Sequence, residues 1–528
     1  MNDSSTYQGV ILFTVFSVIL VGGGFFLEGH IGFDPADEGF LWYGATATAS
    51  GEIPVRDFQS YFPGRYYWSA VWLRFLGDGI LNLRLSTSIF QAIGLIFGLL
   101  VVKRLVRRKP CIVLIALLLW IWTFPRHKLF EPALTMMAVY FGMQMIDHPE
   151  SLGRYFMAGA FTGVAATFGP NHGLYVSSAF FVLILIICLK TRIGNMPRYL
   201  SVWLGGGLTG FSPMLAMILI VPGFFESIRE SMTSVFRTGT NLPLPTPWPW
   251  VTVPKVISDP HITFFKALFE VTGSFAFLFM PIIFAASLMA VLFKGPRFIR
   301  SNSVLVSASV VGLFYQYHAF SRPDIGHLAQ VLPPAIIAAI AIPKALNIDN
   351  WKFTKFAGIG AIILGIFSGA WAHDYFHYVR HGLAGNPYEQ IRICTDILLV
   401  KPDMASLVRN VGAMVNESSE TPDDVFIAPH WPGFYPLLNR KSPVWETYFL
   451  FKSTDEHQRR MIVQMRNSKL KLLIVGDIAL DARDDLRFRN THALVWKYIV
   501  ENFREFHSDK LPENFRLLKP LRLEKPGS

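Results

Sequence analysis

Cysteine is scarce here, with three in 528 residues. Cys111 and Cys188 lie inside apolar blocks and Cys394 stands alone in a polar stretch, so neither a disulfide framework nor a thiolate metal site follows. Charge is scarce as well. Asp, Glu, Lys and Arg make up 16% of the chain against 52% hydrophobic residues, whereas a soluble globular protein carries about a quarter charged residues; water cannot be its only solvent. No cleavable leader is expected either. Asn2 to Gly9 lacks a positive region and Glu28-Gly29-His30 offers no small-residue cleavage site, so the apolar run Val10 to Leu27 is expected to stay as a first membrane span. No internal repeat or low-complexity segment is present.

What charge there is has a direction. The formal net charge is +11, yet from Ala372 onward 22 Lys and Arg face 20 Asp and Glu, leaving 26 against 17 in the apolar part. That surplus points to membrane topology and anionic lipid, and no nucleic-acid partner is expected. Apolar blocks recur near residues 10–27, 85–102, 111–125, 130–146, 155–168, 173–189, 199–221, 271–293, 303–319, 328–343 and 356–371. Crossing a hydrocarbon core of about 30 Å takes roughly 20 helical residues, which predicts about eleven spans. Basic residues gather in alternate loops, at Lys103, Arg104, Arg107, Arg108 and Lys109, at Lys190, Arg192 and Arg198, at Lys294, Arg297 and Arg300, and at Lys344, Lys352 and Lys355. The positive-inside rule makes these loops cytoplasmic. The N-terminus is then cytoplasmic and everything after Trp371 is outside, periplasmic if the membrane is a bacterial inner membrane.

The expected fold class is therefore mainly α: a polytopic transmembrane helical bundle, with amphipathic helices on its outer face and a C-terminal extracytoplasmic α/β domain. Residues 1–372 form the membrane module and 373–528 the domain. Within that domain Val425 to Ala428 and Leu472 to Val475 read as strands, and Asp455 to Asn467 and Thr491 to Phe503 as amphipathic helices. Asp481, Asp484 and Asp485 read as solvated surface. His373, His377 and His381 recur at four-residue spacing, but three imidazoles on one straight helix span about 12 Å and cannot share an ion; a juxtamembrane helix is expected instead.

The outer side receives the long loops, 28–84 and 222–270. The first opens with Asp34-Pro35-Ala36-Asp37-Glu38-Gly39. Asp34 suits a helix cap, Pro35 the first helical position, and Asp37 and Glu38 a first turn, where carboxylates complement the helix dipole. The following Phe40, Leu41, Trp42 and Tyr43 predict a helix at the membrane interface, running to Ser50-Gly51. Gly51-Glu52-Ile53-Pro54-Val55-Arg56-Asp57-Phe58 comes next. A second amphipathic helix is predicted from Pro63 to Leu76, stopped by Gly77-Asp78-Gly79.

These features together resemble the GT-C superfamily: an acidic pair just after the first span, a Gly-x-x-Pro-x-Arg-Asp-Phe stretch, an aromatic Pro-Gly-x-Tyr-Tyr helix, and Arg84 leading into the second span. Its members are multi-span glycosyltransferases that use polyprenyl-phosphate sugars, and the likeness is strongest to the aminoarabinose transferase and protein mannosyltransferase branch. The resemblance implies that an acid of the first outer loop is the catalytic base. By position that is Asp37, with Glu38 the alternate and Asp57 a supporting acid; Arg56 and Arg65 of the same loop are candidate substrate contacts.

Transfer from a lipid phosphate needs cations on the departing phosphate and a base for the acceptor hydroxyl. Phe320-Ser321-Arg322-Pro323-Asp324-Ile325-Gly326-His327 offers Arg322 as a fork for phosphate oxygens and His327 as a donor, unless Arg322 only pairs with Asp324 to anchor a turn. Asp324 also stands as a candidate substrate contact. Arg126, His127 and Lys128 either bind phosphate or snorkel to the interface. His172 either faces the cavity or is a satisfied structural group. The run Leu242-Pro243-Leu244-Pro245-Thr246-Pro247-Trp248-Pro249-Trp250 forms either a lid over the donor, with Trp248 and Trp250 touching it, or a surface loop anchored by aromatics. The expected activity is an inverting transfer of sugar from a polyprenyl-phosphate carrier to a glycan, lipid or protein acceptor. A lipid-linked sugar flippase, or a ligase or polymerase using a diphosphate carrier, are the alternatives. No cofactor is expected, and the sequence leaves a divalent metal open.

Overall fold

Inside hydrocarbon every backbone amide and carbonyl must be satisfied within the chain, and an apolar run long enough to cross can do so only as a helix or in a closed barrel. The computed structural model follows this constraint. It describes residues 3–191, 195–238, 242–349, 352–506 and 510–521; Arg192 and residues 239–241 of the long second loop lie outside the described residues. Each of the eleven apolar blocks is helical over most of its length, the block at 328–343 as two helices. Seven of the described helices are long and apolar enough to cross a membrane: Gly9–Glu28, Ile80–Val102, Arg126–Asp147, Pro170–Lys190, Met196–Ile220, Phe264–Phe293 and Lys352–Ala372. An eighth candidate is a broken pair, Ile325–Val331 and Pro333–Ala345, bent by 59°. Pro333 and Pro334 withhold two amide donors at the bend, which interrupts the helical ladder. Among the remaining blocks, Lys109–Ile121 has 13 residues and Leu152–Phe168 has 17.

The chain divides into two compact units, one of Met1–Gly29, Arg84–Val221 and Asn241–His377, the other of His30–Leu83, Pro222–Thr240 and Tyr378–Ser528. The first is the membrane unit, and the second is called here the polar unit. The first long loop therefore folds with the C-terminal segment, and the second long loop is shared between the units.

In the membrane unit, the Leu152–Phe168 and Met196–Ile220 helices approach through glycines. A Cβ on Gly159 would stand 2.0 Å from the Trp203 carbonyl, one on Gly163 2.2 Å from that of Gly207, one on Gly206 2.1 Å from that of Phe156, and one on Gly210 2.0 Å from that of Ala160. Lipid tails are as apolar as leucine, so close backbone approach through small residues spaced by four is what holds such a pair.

The polar unit is α/β. Strands β1 (Glu389–Ile393) and β2 (Asp396–Val400) form an antiparallel hairpin. A second sheet has the order β3-β4-β6-β5, from Val425–Ala428 (β3), Leu472–Gly476 (β4), Phe503–Phe506 (β5) and Phe515–Pro520 (β6). Strands β3 and β4 are parallel and the other pairs antiparallel. Both β3 and β4 are buried along their whole length, so they read as continuous apolar runs. The helix Asp455–Asn467 sits where the sequence predicts it, its side chain-capped start supplied by Thr454.

The two helices of the first long loop run over Asp37–Ala49 and Pro63–Leu76. One expectation is corrected here. The Asp37–Ala49 helix is not an interface helix: Phe40, Leu41, Trp42 and Tyr43 are all buried. Their partners are aromatic residues of the same unit, with Phe40 5.3 Å from Tyr448 and Tyr43 5.6 Å from Tyr435 between ring centroids. An aromatic cluster suits a core as well as a bilayer surface, and the partners come from distant sequence. The Pro63–Leu76 helix does keep an exposed apolar stripe, at Tyr67, Val71 and Phe75.

The glycine seam makes a paired prediction. Gly206→Ala pushes a methyl into the Phe156 carbonyl and should lower the melting temperature of the purified protein by roughly 3–10 °C, the scale of an overpacking penalty. Gly205→Ala has nothing within 4 Å of its Cβ and should leave melting unchanged. Equal melting of the two variants would remove the seam from the stability of the unit.

Candidate functional site

In the polar unit the acidic loop is organised from its first residue. The Asp34 carboxylate accepts from the Ala36 amide at 2.9 Å and the Glu38 amide at 3.3 Å, so it caps the turn that starts the helix at Asp37. Gly39 then permits a backbone crossing. A Cβ there would lie 2.6 Å from the Gly433 backbone, and the Gly433 amide donates to the Pro35 carbonyl at 2.9 Å. The C-terminal segment thus docks on the beginning of the acidic helix.

The acid pair is split by this docking. Asp37 is exposed whereas Glu38 is 1% exposed. Adjacent positions on a helix lie about 100° apart, so one carboxylate faces solvent and the other the core. The Tyr448 hydroxyl donates to Asp37 Oδ1 at 2.9 Å. Burial pushes the Tyr448 phenol far above its ordinary value, and the Asp37 charge adds to the shift; the group is therefore a committed donor. His430 lies edge-on to Tyr448, centroids 5.9 Å apart. Burial holds its imidazole down at about 4, against the pull of a hydrogen bond to the Phe449 backbone and of Asp37. Among the described residues its Nε2 is buried with no hydrogen-bond partner.

Asp57 and its neighbour serve the loop itself. The Arg56 guanidinium donates to both Asp57 oxygens, at 2.7 and 2.9 Å, and to the Pro222 carbonyl at 3.3 Å. The Ile53 amide also donates to Asp57, at 2.8 Å. The Arg56 hydrogen bond holds the Asp57 carboxyl below its usual range. Arg65 is 4% exposed, its guanidinium 4.8 Å over the Tyr61 ring, and belongs to the core of the unit.

Behind Tyr448 lies a buried ionic cluster. Glu446 Oε2 accepts from His457 Nε2 at 3.0 Å and His492 Nε2 at 3.2 Å. Burial alone would raise this carboxyl, yet His492 and His457 outweigh it and hold it at about 2. The acidic residues farther on are surface pairs, with Asp484 on Arg487 at 2.7 Å and Asp485 on Arg483 at 2.6 Å.

In the membrane unit the basic turn is built around Asp324. Its carboxylate caps the Ile325–Val331 helix by accepting from the His327 amide at 2.8 Å, and it meets His327 Nδ1 at 2.9 Å and Arg322 Nε at 3.3 Å. The anchoring pair that the sequence offered as one reading of Arg322 is thus formed. Arg322 also donates to the Leu242 carbonyl at 3.0 Å, and Trp248, stacked on Trp250 at 5.3 Å, approaches Phe320 at 6.1 Å. The proline-rich run and the basic turn therefore lie together.

His172 is brought into a line that the sequence did not foresee. Its Nε2 lies 3.9 Å from Glu131, and its ring is 5.8 Å from Tyr315 and 6.4 Å from His318. His318 in turn meets Gln330 at 2.9 Å and lies 5.4 Å from the His327 ring. His318 and Gln330 give no local signal, each being one polar residue in an apolar run. Arg126 pairs with Asp374, and Lys128 is half-buried in the same short 3-10 turn. His373 joins Glu28 at 3.0 Å. Among the described residues no group of three or more His, Cys, Asp or Glu is arranged to hold a metal ion.

The Glu446 cluster carries a pH prediction. A carboxyl held below its ordinary value contributes stability above that value and loses it as pH falls through the folded one. The melting temperature should therefore drop between pH 4.5 and about 2, and Glu446→Gln should start lower at neutral pH and converge with the parent near the acid end. Parallel curves across that window would exclude Glu446 from the acid response.

No protein-family model and no curated protein matches this chain. Solved structures do. ArnT from Cupriavidus metallidurans bound to undecaprenyl phosphate matches with a TM-score of 0.54 at 13% identity, over 97% of this chain and 98% of that one. The same protein in its apo state gives 0.54 at 12% identity over the same shares. The oligosaccharyltransferase AglB from Archaeoglobus fulgidus aligns over 98% of this chain and 76% of that one at 12% identity, with a TM-score of 0.45, too distant to bear on the fold. The chain has the fold of ArnT along nearly its whole length.

Proposed function

We propose that this protein is an inverting glycosyltransferase that moves a sugar from a polyprenyl-phosphate carrier to an acceptor hydroxyl. The observation that carries the proposal is the exposed Asp37 carboxylate, held at a helix start by Tyr448 at 2.9 Å, in a chain with the fold of a protein solved with undecaprenyl phosphate bound. Asp37 is the base. It takes the proton of the acceptor hydroxyl as that oxygen bonds to the anomeric carbon, while the bond from that carbon to the phosphate breaks and its electron pair leaves with the phosphate. Attack from the face opposite the phosphate inverts the centre. Glu38, buried beside it, supports the loop, and the Arg56–Asp57 clasp fixes the turn that follows.

Arg322 and His327 take the carrier phosphate, oriented by Asp324, with Arg126 and Lys128 as further cations. Positive groups fixed before the reaction stabilise the departing charge at little reorganisation cost. Trp248 and Trp250 cover the donor, and His172 lines the buried polar path beneath the basic turn. The sugar is a hexose or pentose and the acceptor a glycan, lipid or protein. The N-terminus is assigned to the cytoplasm and the polar unit to the periplasmic side of an inner membrane.

A transporter reading draws on a different observation. The span broken at Pro333 and the buried Glu131–His172 pair are features of chains that carry ions or substrates across a bilayer. Movement of labelled carrier across sealed vesicles without sugar transfer would select that reading.

The direct test assays transfer from radiolabelled undecaprenyl-phosphate sugars, with undecaprenyl-diphosphate glycans as the contrasting donor. Asp37→Asn should cost about 10²–10⁴ in rate, the usual contribution of a general base, whereas Glu38→Gln should lower melting temperature more than turnover. Full activity of Asp37→Asn removes the base assignment, and turnover of the diphosphate donor alone moves the protein to the ligase class.

A further inference from the structure

Proton transfer requires a base whose carboxylate does not rotate out of line with the acceptor hydroxyl. In the polar unit the rotation is stopped from the C-terminal segment. Tyr448 reaches Asp37 across 411 positions of sequence, and Tyr448 is itself held tightly. Gln59 Oε1 accepts from the Thr447 amide at 2.9 Å and the Tyr448 amide at 2.8 Å, while Gln59 Nε2 donates to the Tyr448 carbonyl at 3.1 Å. One side chain thus grips the Tyr448 backbone on both its donor and its acceptor. The Gln59 amide donates to the Trp445 carbonyl at 2.8 Å, and Trp445 Nε1 donates to the Val55 carbonyl at 3.1 Å. The far side of this strap is tied down by Glu446 on His457 and His492.

We propose that Tyr448 is a positioning residue for Asp37, its phenol fixing the direction of the carboxylate, so that the strap Trp445–Tyr448 of the C-terminal segment completes the base carried by the first loop. The proposal rests on the reading of Asp37 as base given above. Tyr448 exchanges no proton in the reaction; the acceptor hydroxyl's proton goes to Asp37, and the phenol stays a donor throughout. The ionisable groups around the contact include Asp34 and Glu38 at the same helix start, Tyr61, and His430 from the C-terminal segment. His430, held at about 4 by burial, is neutral near pH 7 and brings no competing charge. A donor to the charged form of a carboxylate favours that form, which gives the contact a readout in the response of Asp37 to pH.

The test reads Asp37 directly, without substrate. Full-length protein in detergent is labelled with a water-soluble carbodiimide and glycine ethyl ester across a pH series, and the Asp37 peptide is followed by mass spectrometry; labelling fades as the carboxyl ionises. In Tyr448→Phe the pH midpoint for Asp37 should rise by about 1–2 units, the scale of one hydrogen bond to a charged group, with the exposed Asp485 as an unmoved control. Gln59→Ala, which loosens the strap and keeps the phenol, should move the midpoint the same way by less, and it carries the test if Tyr448→Phe fails to elute as a single species. In the transfer assay Tyr448→Phe should lower kcat about tenfold with KM within about twofold, and shift the acid limb of the pH profile upward. An unmoved midpoint in both variants overturns the positioning role. A raised midpoint together with full activity of Asp37→Asn overturns the base reading while the tie between Tyr448 and Asp37 stands, so the two failures are told apart.

Discussion

Hydrocarbon offers no hydrogen-bond partner, and that single constraint organises this chain. Every long apolar run has to satisfy its own backbone, so each becomes a helix, and helices that cannot gain from burying leucine against leucine associate by bringing backbones close. The Gly159/Gly163 and Gly206/Gly210 seam is the plainest expression of it. The same constraint leaves little room for polar chemistry inside the bundle, which gives weight to the few groups found there. Glu131, His172 and Gln330 are buried and His318 is half-buried, and they run in sequence of contact toward the Asp324-centred turn.

The polar unit solves a different problem. Its acidic loop shares a core with the C-terminal segment: Phe40 against Tyr448, Tyr43 against Tyr435, and a bare backbone crossing at Gly39 and Gly433. That sharing also separates two carboxylates that are chemically alike and adjacent in sequence. Asp37 is left at the surface and Glu38 is enclosed, a distinction made by packing rather than by residue type.

Much of the architecture was legible in the sequence. Periodicity and hydropathy located the helices, and the Pro63–Leu76 helix with its glycine stop matched the prediction to the residue, as did Val425–Ala428 and Asp455–Asn467. These are local signals, written in a few consecutive positions. The interfacial reading of Phe40 to Tyr43 failed because aromatic residues serve a bilayer surface and a protein core equally well, and only the partner decides between them. The hairpin of β1 and β2 and strands β5 and β6 escaped notice for a related reason: short strands such as Arg392-bearing Glu389–Ile393 mix charge with apolar residues and gain their identity from pairing. Of the candidate site, the acidic pair and the Arg322–His327 turn could be seen as motifs. Tyr448, His430 and His318 could not, since nothing along the chain links them to their partners.

The grip of Gln59 on Tyr448 spans 389 residues, and this sets an order of events at the ribosome. At about 5–20 residues per second, the first loop emerges roughly 20–80 s before the strap that will hold it exists. Through that interval its aromatic helix has Tyr61 and Phe58 of its own loop but lacks Tyr435 and Tyr448, while the bundle is being threaded into the bilayer. The acidic loop is thus the earliest part of its unit to be made and among the last to be finished, and a nascent chain cut short anywhere before Trp445 would carry the carboxylates without the means to aim them.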